Sequence, residues 1–268
     1  MRVAVVGHVE WVEFLSIDGP LASGSIRHGH SLGLEPAGGG GVSAVDLARM
    51  VGQATLFTAV GSDALGARIA GVLGAHGVRV EAREAEGPHR RAVTLVEPSG
   101  ERTIVVIGEA QAPRALDPSA FEGIDGVYFC KGDAVSLVAA RRARVLVATA
   151  RCLPVIREAG VHLDALVHSG VDPSERYVPG DLAVEPGLVA TTEGEAGGRF
   201  RTATEVGRWS AAALPGPVAD AYGCGDSFAA GLTVGLARGQ SVAAALALGA
   251  ERGARALTRR GAHGVPSG

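Results

Sequence analysis

The chain has 268 residues, 47% hydrophobic and 20% charged, with a formal net charge of −3. That balance suits a soluble globular protein with a sizeable core, and it offers no general attraction to nucleic acid or to an anionic membrane. The three cysteines, Cys130, Cys152 and Cys224, share no C-x-x-C spacing, so neither a disulfide framework nor a zinc site is expected and a reducing cytoplasm is the default.

The N-terminal "MRVAVVGHVEW" reaches glycine after four apolar residues, too short a run for a signal peptide or a membrane span. "VAVVG" reads as a buried strand, and 11–41 as mixed short runs broken by glycines. "SAVDLARMV" has helical spacing, with Ala44, Leu47, Ala48 and Val51 on one face. "ATLFTAVG" is a strand and "DALGARIAGVLGAHG" a helix. "RRAVTLVEPSGERTIVVIG" is a hairpin turning at Pro98-Ser99-Gly100. Next come the strand "VYFC", the helix "DAVSLVAARRA", and the strands "RVLVAT", "ALVH" and "GLVATT". The segment after Asp226 and "SVAAALALGAERGARAL" close the chain as helices. Buried strands alternating with helices predict an α/β fold with a central, mainly parallel sheet flanked by helices. Residues 1–268 read as one domain, with segments near 11–36 and 91–108 forming a small β lid. Ligands of such folds bind at the carboxyl ends of the strands.

Two familiar devices are absent and one is deceptive. Lys131, in "CKGDA", is the only lysine, so no G-x-x-x-x-G-K-[ST] phosphate loop exists, and no strict G-x-G-x-x-G occurs. "GHSLG", Gly29 to Gly33, spells the nucleophile elbow of a hydrolase around Ser31. That elbow needs a buried strand before the serine and a helix directly after it. Neither flank fits, so a lid loop is expected.

Two glycine-rich loops enter helices. In "GGGGVSAVDLARMVG" bare backbone at Gly38 and Gly39 would let a ligand lie close, while Ser43 could instead cap the helix with Asp46 three residues on. In "DAYGCGDSFAAGL" the glycines precede a helix whose N-terminal N–H groups attract an anion, yet Asp220 and Asp226 flank them. A simple cap needs one aspartate and no G-x-G.

"DAYGCGDSF" resembles the D-T-x-G-A-G-D-x-F signature of ribokinase-like (PfkB) carbohydrate kinases. "GGGGVSAVDLARMVGQATLFTAVGSDALG" resembles that family's second signature, "DPSE" (172–175) its N-x-x-E, "TEGEAG" (192–197) its T-x-G-x-x-G, and "LTRRGAHG" its closing segment. The pieces stand in family order over nearly the whole chain. The resemblance implies a ribokinase-like fold and ATP-dependent phosphorylation of a hydroxyl, with Asp226 as the base. Phosphoryl transfer asks chiefly for positioning and charge stabilisation. The N–H groups of Gly223, Cys224 and Gly225 would hold the transferring phosphoryl oxygens. Thr192, Gly194, Gly197, Gly225 and Arg102 would contact ATP, and Glu175 with Asp172 would organise Mg²⁺ and its waters. Asp220 would join a monovalent-cation (K⁺) loop.

The acceptor end departs from the pattern. Val12 stands where the family has a sugar-gripping Asp, Ser43 where it has Asn, Cys224 for the usual alanine and Tyr222 for a common Thr. Glu10 and Glu13 flank Val12, and Trp11 offers a ring face. Strand alternation puts Glu10 on the side of Val12, and Glu13 with Trp11 on the other. The acceptor residues expected are therefore Glu10, Gly38, Gly39 and Ser43, and the acceptor expected first is a sugar. The alternatives are a nucleoside kinase of the same family, a non-catalytic binding relative, and a hydrolase built on Ser31. A homodimer is compatible with the sequence.

Overall fold

The structure is a computed structural model, and it describes residues 1–264. Among the described residues thirteen strands and six α-helices follow one another. The first part holds β1 (Val3–Val6), β2 (Glu10–Ile17), β3 (Gly29–Ala37), α1 (Gly38–Val51), β4 (Ala54–Gly61), α2 (Ala64–Gly74), β5 (Val78–Ala85), β6 (Arg91–Val96) and β7 (Arg102–Ile107). The middle holds β8 (Gly126–Phe129), α3 (Ala134–Ala140), β9 (Val145–Thr149), α4 (Leu153–Ala159), β10 (Ala165–Ser169) and β11 (Leu188–Thr192). β12 (Gly198–Thr202), β13 (Val206–Trp209), α5 (Cys224–Ala237) and α6 (Val242–Leu257) complete it.

Nine strands form the main sheet in the order β13-β12-β11-β10-β9-β8-β1-β4-β5. Every pairing from β11 through β5 is parallel, and only β11–β12 and β12–β13 are antiparallel. Parallel strands buried on both faces need continuous apolar runs, and β1, β8 and β9 are buried at every position. One face packs on α1, α2, α5 and α6 through Leu47, Ile69, Leu232 and Leu246. The other packs on α3 and α4 through Leu137 and Ile156.

The lid is a second sheet, β3-β2-β6-β7. The hairpin β6–β7 turns where expected, with the Gly100 N–H donating to Glu97 O (2.9 Å). Val12 and Phe14 of β2 sit opposite Ala92 and Thr94 of β6, and this face joins Val42, Tyr222 and Ala262 in a small apolar cluster. Ser31 lies mid-strand in β3 and is exposed, so "GHSLG" is no elbow.

Helix α1 begins at Gly38, five residues before the start its apolar spacing predicts. The glycines of its first turn are fixed by crowding. A Cβ at Gly40 would stand 2.6 Å from His8 O, and one at Gly41 3.2 Å from Pro36 O. Gly38 adopts φ +75°, where an L side chain is strained. Ser43 thus lies inside the helix, and its buried hydroxyl donates to Gly39 O (2.6 Å). It caps no helix end. Among the described residues no helix is long and apolar enough to cross a membrane, and the three cysteines are free.

Candidate active site

The strand order brings the carboxyl ends of β11, β10, β9, β8 and β1 side by side. They deliver Thr192, Asp172 with Glu175, Arg151, Lys131 and His8 along one edge of the sheet. Helix α5 starts over that edge. Its N-cap is Gly223, left-handed at φ +69°, and no side chain caps it, so neither aspartate is there for capping. The first-turn N–H groups of a helix have no partner within it. Gly225 is not fully buried, and a Cβ there would meet nothing. Gly194 is open in the same way.

Asp226 lies in the first turn of α5. Burial pushes its carboxyl up to about 6. The Tyr128 hydroxyl, donating to Oδ1 at 3.2 Å, pulls it back, Glu175 raises it, and Arg151 and Arg102 lower it. Gly39 presses against the same carboxylate, since a Cβ there would be 3.0 Å from Oδ1. The two glycine motifs meet a second time through Tyr222, whose hydroxyl accepts the Gly38 N–H at 3.0 Å. The Tyr222 ring meets Phe14 edge-on, 4.9 Å between centroids. Tyr222 therefore clamps the lid root to α1.

Glu175 and Asp172 lie where the sequence pairs them, and both face one cation. Arg151 Nε is 2.7 Å from Glu175 Oε1 and its Nη2 2.7 Å from Asp172 Oδ2. Glu175 Oε2 also accepts the Ser169 N–H (3.0 Å). Asp172 is held below the usual carboxylate range by the Ser174 hydroxyl and N–H. Among the described residues no three His, Cys, Asp or Glu side chains converge as a closed metal cage. Two carboxylates already gathered on one cation are hard oxygen donors that suit Mg²⁺, which keeps most of its waters.

Arg102 starts β7, and its buried Nε finds no acceptor among the described residues. Its charge acts on Asp220, Cys224 and Asp226, around the start of α5. Thr192 ends β11, and Gly197 is obligatory because a side chain there would collide with Trp209 O. Asp220 is buried, with Oδ1 accepting the Tyr222 N–H (2.7 Å) and Oδ2 the Gly261 N–H (3.2 Å). Its carboxyl is raised by burial, against those two bonds.

Glu10 is buried on the face of Val12 and Phe14, as alternation requires, and Glu13 is exposed. Burial raises Glu10, and Arg90, 3.0 Å away, opposes that. Trp11 is not available to an acceptor. Its indole donates to Leu65 O (2.8 Å) and its ring lies beneath Arg68, wedged between the lid and α2.

The pfkB family carbohydrate kinase model matches residues 1–169 and 178–267. The chain belongs to that family. Among curated proteins no sequence matches it. In shape this pfkB-family chain is similar to ribokinase from Thermotoga maritima, with a TM-score of 0.80 at 18% identity, covering 98% of this chain and 95% of that one. Adenosine kinase from Sinorhizobium meliloti gives 0.73 at 20%, covering 97% and 95%. Ribokinase from Cryptococcus neoformans, solved with ADP, gives 0.74 at 22%, covering 98% and 95%. The fold is accordingly ribokinase-like.

Three features of this family member escape a reading of the sequence. Arg151 carries no motif, and only the register of β9 beside β10 brings it to the acidic pair. Tyr128 reads as one more buried strand residue. Asp46 turns out to be buried, with Arg259 at 2.9 Å and Arg49 and Arg252 nearby. Arg259 also donates to Ser227 (3.1 Å), beside Asp226. An aspartate among the buried residues of α1 was the available signal, because a buried carboxylate needs a partner.

Proposed function

We propose that this pfkB-family protein transfers the γ-phosphoryl group of ATP to a hydroxyl of a small acceptor, a sugar by preference. The observation that carries this reading is Asp226, a carboxylate raised to about 6 at the first turn of a glycine-capped helix. A base with that pKa is ionised at neutral pH and still able to accept a proton. In the proposed arrangement the acceptor lies against Gly38, Gly39 and Glu10, with its hydroxyl at Asp226. The first-turn N–H groups from Gly223 to Gly225 and the Arg102 guanidinium hold the phosphoryl oxygens as charge develops. ATP lies along the end of β11 over Thr192 and Gly194. Glu175 and Asp172 would hold Mg²⁺ through its waters, and the ion would supply charge neutralisation on the phosphates. A K⁺ ion beside Asp220 belongs to the same proposal.

The test is release of ADP by purified protein with Mg²⁺-ATP, screened against sugars and, in parallel, nucleosides. ADP release dependent on a sugar supports the reading. Release only with nucleosides assigns the acceptor to the other class. Tight ATP binding with no release in either arm favours a non-catalytic relative.

A further inference from the structure

The Tyr128 hydroxyl reaches Asp226 from beneath. Tyr128 stands in β8, in the core under α5, and is 2% exposed. Its hydroxyl donates to Oδ1 of Asp226 at 3.2 Å. A buried phenol needs such a partner. Against the same oxygen stands the Gly39 backbone, so close that a Cβ would lie 3.0 Å away. Oδ1 is therefore held between β8 and α1, and rotation about the carboxyl bond is restricted. Oδ2 is the oxygen left to meet an incoming hydroxyl.

We propose that Tyr128 is a positioning residue that pins Oδ1 of Asp226 and thereby assigns proton acceptance to Oδ2. The proposal rests on the reading of Asp226 as a base, and it adds which atom works and what holds it. The groups facing Asp226 come from every element packed around it. They are Tyr128 and Cys130 from β8 and its end, Glu175 after β10, Arg151 after β9, Arg102 from the lid, Tyr222 just before α5, and Cys224 from α5. Of these, only Tyr128 makes a hydrogen bond to the carboxylate. A donor that favours the ionised form lowers a carboxyl pKa. Removing it must move Asp226 upward, and the base must lose activity at the acid side first.

The experiment compares wild type with Tyr128→Phe, using protein labelled with ¹³C at aspartate carboxyls and tyrosine Cζ. Asp226→Asn identifies the Asp226 resonance. In wild type the Asp226 Cγ signal should titrate near 6, and the Tyr128 Cζ signal should follow the same midpoint. In Tyr128→Phe the Asp226 midpoint should rise by about one pH unit, the size expected when a charge-assisted hydrogen bond is lost. These readouts need no substrate, so they stand whether or not the kinase reading holds. Where phosphoryl transfer is measured, the acid limb of kcat/KM should move by the same amount, with plateau kcat lowered and the KM for ATP unchanged. An unshifted Asp226 midpoint in a folded Tyr128→Phe variant overturns the proposal. Should that variant not fold, a flat Tyr128 Cζ signal across the Asp226 titration in wild type overturns it equally.

Discussion

Replacing Asp226 with asparagine separates two consequences of burying that carboxylate. Asparagine keeps the shape and can still accept the Tyr128 hydroxyl, but it takes no proton at neutral pH. Turnover should fall by ~10²–10⁴-fold, the usual share of a general base. Stability should move the other way. Burial raises the carboxyl from 3.8 to about 6, and a tenfold change in an ionisation constant corresponds to ~1.4 kcal/mol. Ionised Asp226 thus opposes folding by about 3 kcal/mol at neutral pH. Because the folded pKa lies above the unfolded one, this cost is absent below the unfolded value. It grows as pH rises through the window up to about 6 and persists above it. The variant should therefore melt a few degrees higher than wild type at neutral pH, with the difference closing in acid. Wild-type activity should rise with pH through about 6 and level off above. Initial rates and thermal melts across that range check both limbs. Near-normal turnover in Asp226→Asn would remove the base from the mechanism. Loss of activity together with a lower melting temperature would mean that the substitution merely damages the fold.

Glu175→Gln should raise the Mg²⁺ concentration needed for half-maximal activity several-fold, and a titration that overlays wild type would remove the acidic pair from metal binding. Glu10→Ala should raise the acceptor's KM and leave that for ATP in place, whereas Glu13→Ala, an exposed change, should do little. The reverse pattern would refute the face assigned to β2. Gly39→Ala places a methyl 3.0 Å from Asp226 Oδ1, so kcat should drop by about tenfold or more with the fold retained, as judged by thermal melting. Unchanged kcat there would show that the carboxylate tolerates displacement.

Much of this architecture was legible because parallel strands buried on both faces leave unbroken apolar runs. "VAVVG" and "ATLFTAVG" could hardly be anything else. β5 was not legible because it is a sheet edge, and "VRVEAREA" carries charges that an edge strand exposes to water. α4 has only seven residues with a proline in its first turn, too short for a helical period to show. At the site, the motifs located Asp226, Glu175 and the glycines because each is bound to a local backbone shape. The partners of these residues were not legible, since they arrive from far along the chain. Tyr128 is 98 residues from Asp226, and Arg259 is 213 from Asp46. Alternation placed Glu10 and Trp11 on opposite faces correctly, but it could not say that α2 would cover the tryptophan. A period of two identifies a side of the strand and not what is packed there.

Phosphoryl transfer to a hydroxyl is best measured by mass analysis of acceptors incubated with the protein and Mg²⁺-ATP, with Asp226→Asn run alongside. Wild type should yield an acceptor one phosphoryl group heavier, mole for mole with ADP, and the variant should form it at least about a hundredfold more slowly. ADP formed at equal rates by both proteins, or with no phosphorylated acceptor, would contradict this.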